Sequence, residues 1–245
     1  MKRILLLCAV FILFTVSASA QKEKSWTEWS EKDAVKVMTD SAWAQTQREL
    51  TESDTSPGAG ITAVAGKREA SASTVEKNTE SGESMGRKSA SLSLNYYMAF
   101  LSAKPVRQAF VRYLEIKAPE TPAEKATERR AFVDRDFGDY IVVALKLDGT
   151  DKKKLAPAMQ LLSGDPKAFK ETAYLERKDG KRVALMDYRV PDQLGAKFIF
   201  PRTLDGKPFL DASSGEVRVY VELGKTKLSR RFKVADMVYD GKLEY

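Results

Sequence analysis

Hydrophobic and polar positions change period several times along this chain, and each change marks an element. Within residues 21–50, Ser30 and Asp33 have the spacing of a capping box, in which the acid reaches back to the cap. Ala34, Val35 and Met38 then recur at helical spacing. Asp40-Ser41 marks a break, and a second short helical turn is expected over 42–47. Later, Leu92, Leu94, Tyr96, Met98 and Phe100 alternate with smaller or polar residues, the period of a strand. Ser102 precedes Pro105 near the first turn of a helix whose apolar face is Val106, Ala109, Phe110, Tyr113 and Leu114. Lys104, Arg107 and Arg112 lie off that face and are expected in solvent. Thr121-Pro122-Ala123-Glu124 has the form of a helix start, with threonine as cap, proline at the first position and glutamate closing the box, for a charged surface helix running to about Val133.

From Asp139 onward the pattern is mainly that of strands. Residues 140–147 form a strong β-run, and one short helix, begun or interrupted at Pro157, fits within 150–162. Runs at 171–177 and 181–189 flank Asp179-Gly180, a strong short hairpin signal. Ala196, Phe198 and Phe200 alternate, as do Val217, Val219, Val221 and Leu223 against Arg218, Tyr220 and Glu222. Such alternation buries one face and wets the other. Leu228, Phe232 and Val234 mark a further strand, and Asp-Gly turn signals recur at 148–149, 179–180, 205–206 and 240–241. The expected fold is α+β: a helical N-terminal part packed on a C-terminal antiparallel, β-rich, sandwich-like domain. Met237, Tyr239, Leu243 and Tyr245 share one alternating face, also a habit of outer-membrane barrels, but the serial segments of roughly ten residues that a barrel needs are missing.

Residues 51–90 break the pattern. Ser, Thr, Gly, Ala and Glu dominate there, with no leucine and no aromatic residue. Such a stretch buries too little apolar surface to offset its ordering entropy, and it is expected to be a flexible insertion. The expected organisation is therefore a leader at 1–20, a helical segment at 21–50, the insertion at 51–90 and an α+β domain at 91–245, β-rich from 139.

The leader rests on Met1-Lys2-Arg3, an apolar run from Ile4 to Val16 and the small-residue site Ala18-Ser19-Ala20, which together have the form of a cleavable secretory signal peptide. The apolar run is shorter than the roughly 20 residues that span a bilayer. The expectation is an exported protein, periplasmic or extracellular. Cys8, the single cysteine, would leave with the leader, so the mature chain would have neither disulfide nor thiolate.

The 245 residues contain no histidine, which excludes Ser-His-Asp and Cys-His mechanisms and His-ligated metals. No EF-hand loop, phosphate-binding glycine loop or dinucleotide fingerprint is present. The residues thus suggest no catalytic, cofactor or metal site. The formal charge of +7 falls by two, to +5, when Lys2 and Arg3 are removed. Basic residues gather at 152–154, 177–182 and 225–233, interspersed with acids. Either they form an ordinary solvated surface or they draw the protein to an anionic partner such as the envelope surface. Nucleic acid is not expected as a partner.

All three tryptophans, Trp26, Trp29 and Trp43, fall near the N-terminus and are candidate partner-binding residues, with docking of the segment onto the fold as the alternative. Asp134, Asp136 and Asp139 are the candidate acids for a carboxylate-dependent hydrolase acting on envelope polysaccharide, the alternative to a non-enzymatic envelope or secreted binding protein. The segments Trp26-Thr27-Glu28-Trp29-Ser30-Glu31-Lys32-Asp33-Ala34, Asp40-Ser41-Ala42-Trp43-Ala44, Lys197-Phe198-Ile199-Phe200-Pro201-Arg202 and Gly241-Lys242-Leu243-Glu244-Tyr245 resemble those of a family of uncharacterised exported bacterial proteins. Its members often have proline where this chain has Ala42. The resemblance implies secretion and supplies no catalytic residues.

Overall fold

The computed structural model describes residues 24–51 and 92–245; the expected leader and nearly all of the expected insertion lie outside the described residues. Helix α1 (Glu31–Thr39) starts on the anticipated box: Ser30 Oγ accepts from Asp33 N at 3.2 Å, and Asp33 Oδ2 accepts from Ser30 N at 3.0 Å. Strand β1 (Ala44–Thr51) follows where a helical turn was expected. It pairs antiparallel with β2 (Leu92–Phe100), from Ala44 opposite Ala99 to Thr51 opposite Leu92, so residues 52–91 join two adjacent strand ends.

Helix α2 (Lys104–Lys117) carries proline in its first turn, and its first N–H donates to Glu244 Oε2 at 3.1 Å. Helix α3 (Ala123–Val133) ends where the pattern placed its end, but Pro122 occupies the cap; the Thr121 hydroxyl instead donates to Ala118 O. Strand β3 (Tyr140–Gly149) runs through Asp148-Gly149 rather than turning there. A Cβ on Gly149 would lie 2.2 Å from Ser93 O, so this glycine serves close strand approach. Helix α4 (Lys152–Leu162), capped by Asp151, continues through Pro157.

The anticipated hairpin forms β4 (Ala173–Arg177) and β5 (Arg182–Ala184), with Gly180 at φ +85°. The expected run to 189 does not stay in one sheet. After Ala184 the chain crosses over, and β6 (Asp187–Asp192) joins β7 (Gly195–Pro201) in the other sheet. Two short ladders, β8 (Thr203–Leu204) with β9 (Lys207–Pro208) and β12 (Val238–Tyr239) with β13 (Lys242–Leu243), turn at Asp205-Gly206 and Asp240-Gly241. All four turn residues have positive φ, the requirement of a two-residue hairpin loop. Strands β10 (Glu216–Leu223) and β11 (Thr226–Lys233) complete the set.

The fold is α+β with two open antiparallel sheets, ordered β1-β2-β3-β7-β6 and β11-β10-β4-β5. Inward residues of both enter one core: Met98, Phe100, Val143 and Phe198 from the first, Leu175, Val219, Leu228 and Phe232 from the second. Phe100 and Phe232 meet edge to face across the layers at 5.0 Å. One side of the pair is closed by amides. Gln45 Nε2 donates to Arg231 O at 2.6 Å, Gln47 Nε2 to Lys227 O at 3.1 Å, and Ser229 N donates to Gln47 Oε1. Those glutamines explain why β1 escaped the pattern: its inward positions are polar because they satisfy the free edge of β11. Among the described residues, no helix is long and apolar enough to cross a membrane.

Candidate functional site: the basic face of the four-stranded sheet

The outward positions of the four-stranded sheet form cross-strand rows. Arg182 lies opposite Glu176, Glu176 opposite Arg218, and Arg218 opposite Arg231, so one row spans all four strands. In the next row Ala184, Tyr174, Tyr220 and Ser229 align. The Tyr174 and Tyr220 rings stack at 4.8 Å with a 22° tilt, and the Arg182 guanidinium sits 4.4 Å over Tyr174. Arg218 lies over both rings, at 5.7 and 5.6 Å, and donates to Tyr174 Oη at 3.1 Å. The rings hold the two long basic side chains flat on the sheet.

Glu176 is shared. Arg182 Nε reaches one of its oxygens and Arg218 Nη2 the other, each at 2.5 Å. Burial pushes the Glu176 carboxyl upward, but the bonds and charges of the two arginines outweigh it and hold the group below its ordinary value. Tyr220 donates to Glu222, and that bond, with burial, pushes the phenol up to about 12. Arg231 has no carboxylate: its side chain, like those of Lys178 and Lys233, has no partner among the described residues. Like charges directly opposite on neighbouring strands repel, and Arg218 faces Arg231 in this way.

Beside this pair is a notch of about 110 Å³ lined by Glu176, Arg177, Lys178, Glu216, Arg218 and Arg231. The Nε–H groups of the Arg177 and Arg218 side chains are buried without a hydrogen-bond partner among the described residues. A second concavity of about 340 Å³ shares Glu216 and Arg231 and extends to Lys233 and Asp236. Two of the three basic clusters seen in the sequence, 177–182 and 225–233, therefore meet on one surface through Arg218 of β10.

The outer face of the five-stranded sheet differs. Helices α1 and α2 cover part of it, leaving a cavity of about 230 Å³ lined by Met38, Tyr97, Ala99, Phe110 and Leu194. Burial, then the Asp148 charge, pushes the Tyr97 phenol above its ordinary value. A further groove of about 470 Å³ shares Leu101 and Leu194 and runs past Phe137, Tyr140 and Met186. Arg189 on its rim pairs with Asp187 and Lys197 pairs with Asp192.

The tryptophans are not brought together as one platform. Trp43 is half-buried against the core, donates from its indole to Glu244 O at 2.9 Å and meets Tyr239 edge to face at 6.2 Å. Trp26 begins a 3-10 turn (Trp26–Glu28) and is half-buried; Trp29, also half-buried, follows it, and its carbonyl accepts from Arg112 Nε at 2.8 Å. The three acids are exposed. Asp134 pairs with Lys104 at 2.9 Å, Asp136 accepts from Gly138 N, and Asp139 uses its backbone carbonyl to accept from Arg202 N. Arg107, expected in solvent, is only 5% exposed. Its Nε donates to Val133 O at 2.9 Å and its Nη1 to the carbonyls of Leu101 and Ser102, so it ties the β2–α2 corner to the end of α3. No group of three or more Asp, Glu, His or Cys side chains arranged to hold a metal occurs among the described residues.

The pattern did reveal that Arg218, Tyr220 and Glu222 face outward; it could not supply the register that sets Arg231 and Glu176 beside Arg218. No family model matches the chain, and neither a curated protein nor a solved structure matches it.

Proposed function

We propose that this is an exported, non-enzymatic protein that attaches to an anionic phospholipid surface of the envelope through the outer face of its four-stranded sheet. The observation that carries this reading is the convergence of two sequence-distant basic clusters on one sheet face, where Arg231, Lys178 and Lys233 are left without carboxylate partners among the described residues. Each basic residue held near an anionic surface contributes on the order of 1 kcal/mol, so a few unpaired cations on a rigid sheet suffice for reversible attachment. The leader-like N-terminus, the family resemblance and the net positive charge support export and attraction to anions. The hydrolase alternative gains nothing from the geometry, because Asp134 and Asp136 are engaged in an ion pair and a turn.

The test is co-sedimentation with vesicles of phosphatidylcholine, with and without phosphatidylglycerol. Binding should require the anionic lipid, weaken as salt shortens the screening length, and be lost in Arg231→Glu/Lys233→Glu. Binding that ignores lipid charge, or that survives the double reversal unchanged, refutes the proposal.

A further inference from the structure

Resting on that surface reading, we propose that the notch between Arg218 and Arg231 is a specific phosphate-binding site, so that the face recognises a phosphate group and not only negative charge. Three observations lead there. Arg218 and Arg231 are directly opposed in the antiparallel register, which places their Cβ atoms about 5 Å apart. No ion pair relieves their repulsion on the Arg231 side among the described residues, because Glu176, the carboxylate of that row, is already shared by Arg182 and Arg218. An anion seated between the two guanidiniums removes that repulsion.

The second observation is the donor set. The notch presents Arg218, held by Glu176 and the tyrosine rings, and Arg177, held by Asp179 and Phe209 O, beside the unpaired and exposed Arg231, and the Nε–H of Arg177 and of Arg218 has no acceptor among the described residues. Arginine forks match the geometry of phosphate oxygens in paired hydrogen bonds, whereas a lysine offers only a point charge. The third is charge and size. Over the notch and its neighbouring concavity, with the Arg182 and Asp179 partners included, six basic side chains stand against four carboxylates, an excess of two. A phosphate monoester carries about −1.5 to −2 near neutral pH, and a space of about 110 Å³ suits one such group rather than an extended polymer. Glu216 on the wall is already one of those four carboxylates, so the excess of positive charge holds with it counted.

The experiment titrates the protein with inorganic phosphate by calorimetry, in wild type, Arg231→Ala and Arg231→Lys. Arg231 is exposed and its side chain has no partner among the described residues, so both variants should keep the fold, which circular dichroism verifies. Saturable phosphate binding by wild type, weakened about tenfold or more in both variants, supports the notch. Equal affinity in all three proteins, or no saturable binding, overturns it. Vesicle binding separates this from the surface reading. Arg231→Lys keeps its charge, so it should still sediment with phosphatidylglycerol vesicles while binding phosphate at least about tenfold more weakly. If phosphate releases wild type from the vesicles, lipid head groups use the notch; if phosphate binds without releasing them, the notch takes a free phosphate compound.

Discussion

The outer faces of the two sheets are made by the same two-residue pleat, yet one is apolar and partly roofed by helices while the other is charged and bare. On the five-stranded sheet, Ala99, Leu101, Val142 and Ala144 are each at most 8% exposed. That surface cannot be left in water, and α1 and α2 supply the cover. On the four-stranded sheet the corresponding positions are Arg218, Tyr220 and Glu176, which are half-buried, and Arg231, which is exposed. The difference separates stability from recognition: the roofed face holds the molecule together, and the bare face is free to carry interactions whose loss costs the fold little.

The widest gap between the faces should come from one added charge on each. Ala99→Asp buries a carboxylate under the helices and should destabilise by more than about 4 kcal/mol. Ser229→Asp, on the bare face, should stay within about 0.5 kcal/mol while weakening vesicle binding. Urea denaturation of both variants measures this, and similar midpoints would erase the distinction.

Removing Arg107 should come next. Arg107→Met strands the carbonyls of Val133, Leu101 and Ser102 and should cost about 3 kcal/mol. Arg107→Lys should recover little of it, because an ammonium cannot reproduce the fork. Recovery with lysine would reduce Arg107 to a packing residue.

A smaller loss tests what pins the roof. Trp43→Phe keeps an aromatic ring against Tyr239 but deletes the bond to Glu244 O, whose side chain caps α2. It should cost about 1 kcal/mol, read as a lower melting temperature with unchanged vesicle binding. Loss of vesicle binding without loss of stability would return Trp43 to the role of a partner-binding residue.

The smallest effect lies on the bare face. The Glu176 carboxyl is held below its ordinary value in the fold, so its stabilising contribution is complete above the unfolded-state value and disappears as the pH falls through the lower folded value. Glu176→Gln should therefore be less stable than wild type at neutral pH, by under about 1 kcal/mol, and the two should converge under acid conditions below the ordinary carboxyl range. Thermal melts at both pH values decide it; a gap that widens in acid would contradict the ion pairing.

Where apolar residues alternate, the sequence was a good guide. Strands β2, β3, β7 and β10 fall where the pattern placed them, and so do the Asp205-Gly206 and Asp240-Gly241 turns. It failed where an inward position is polar for a non-local reason. Gln45 and Gln47 point toward the sandwich to satisfy a strand edge about 180 residues away. Asp148-Gly149 has the composition of a turn, but Gly149 is needed for close approach to Ser93. Arg107 looks solvated on a helical wheel and is buried because three carbonyls from different elements converge on it. The tryptophans were visible as a cluster in sequence, and only the fold separates Trp43, bonded to Glu244, from Trp26 and Trp29 near α2.

By itself the sequence determined the α+β class, the positions of most apolar strands, the absence of histidine chemistry and the excess of positive charge, because these depend on residue type and local period. Only the tertiary structure decided the division into two sheets, the roof over one of them and the row of Arg182, Glu176, Arg218 and Arg231. Strand register and sheet crossing arise from burial shared between distant segments, and no local window of sequence contains both partners.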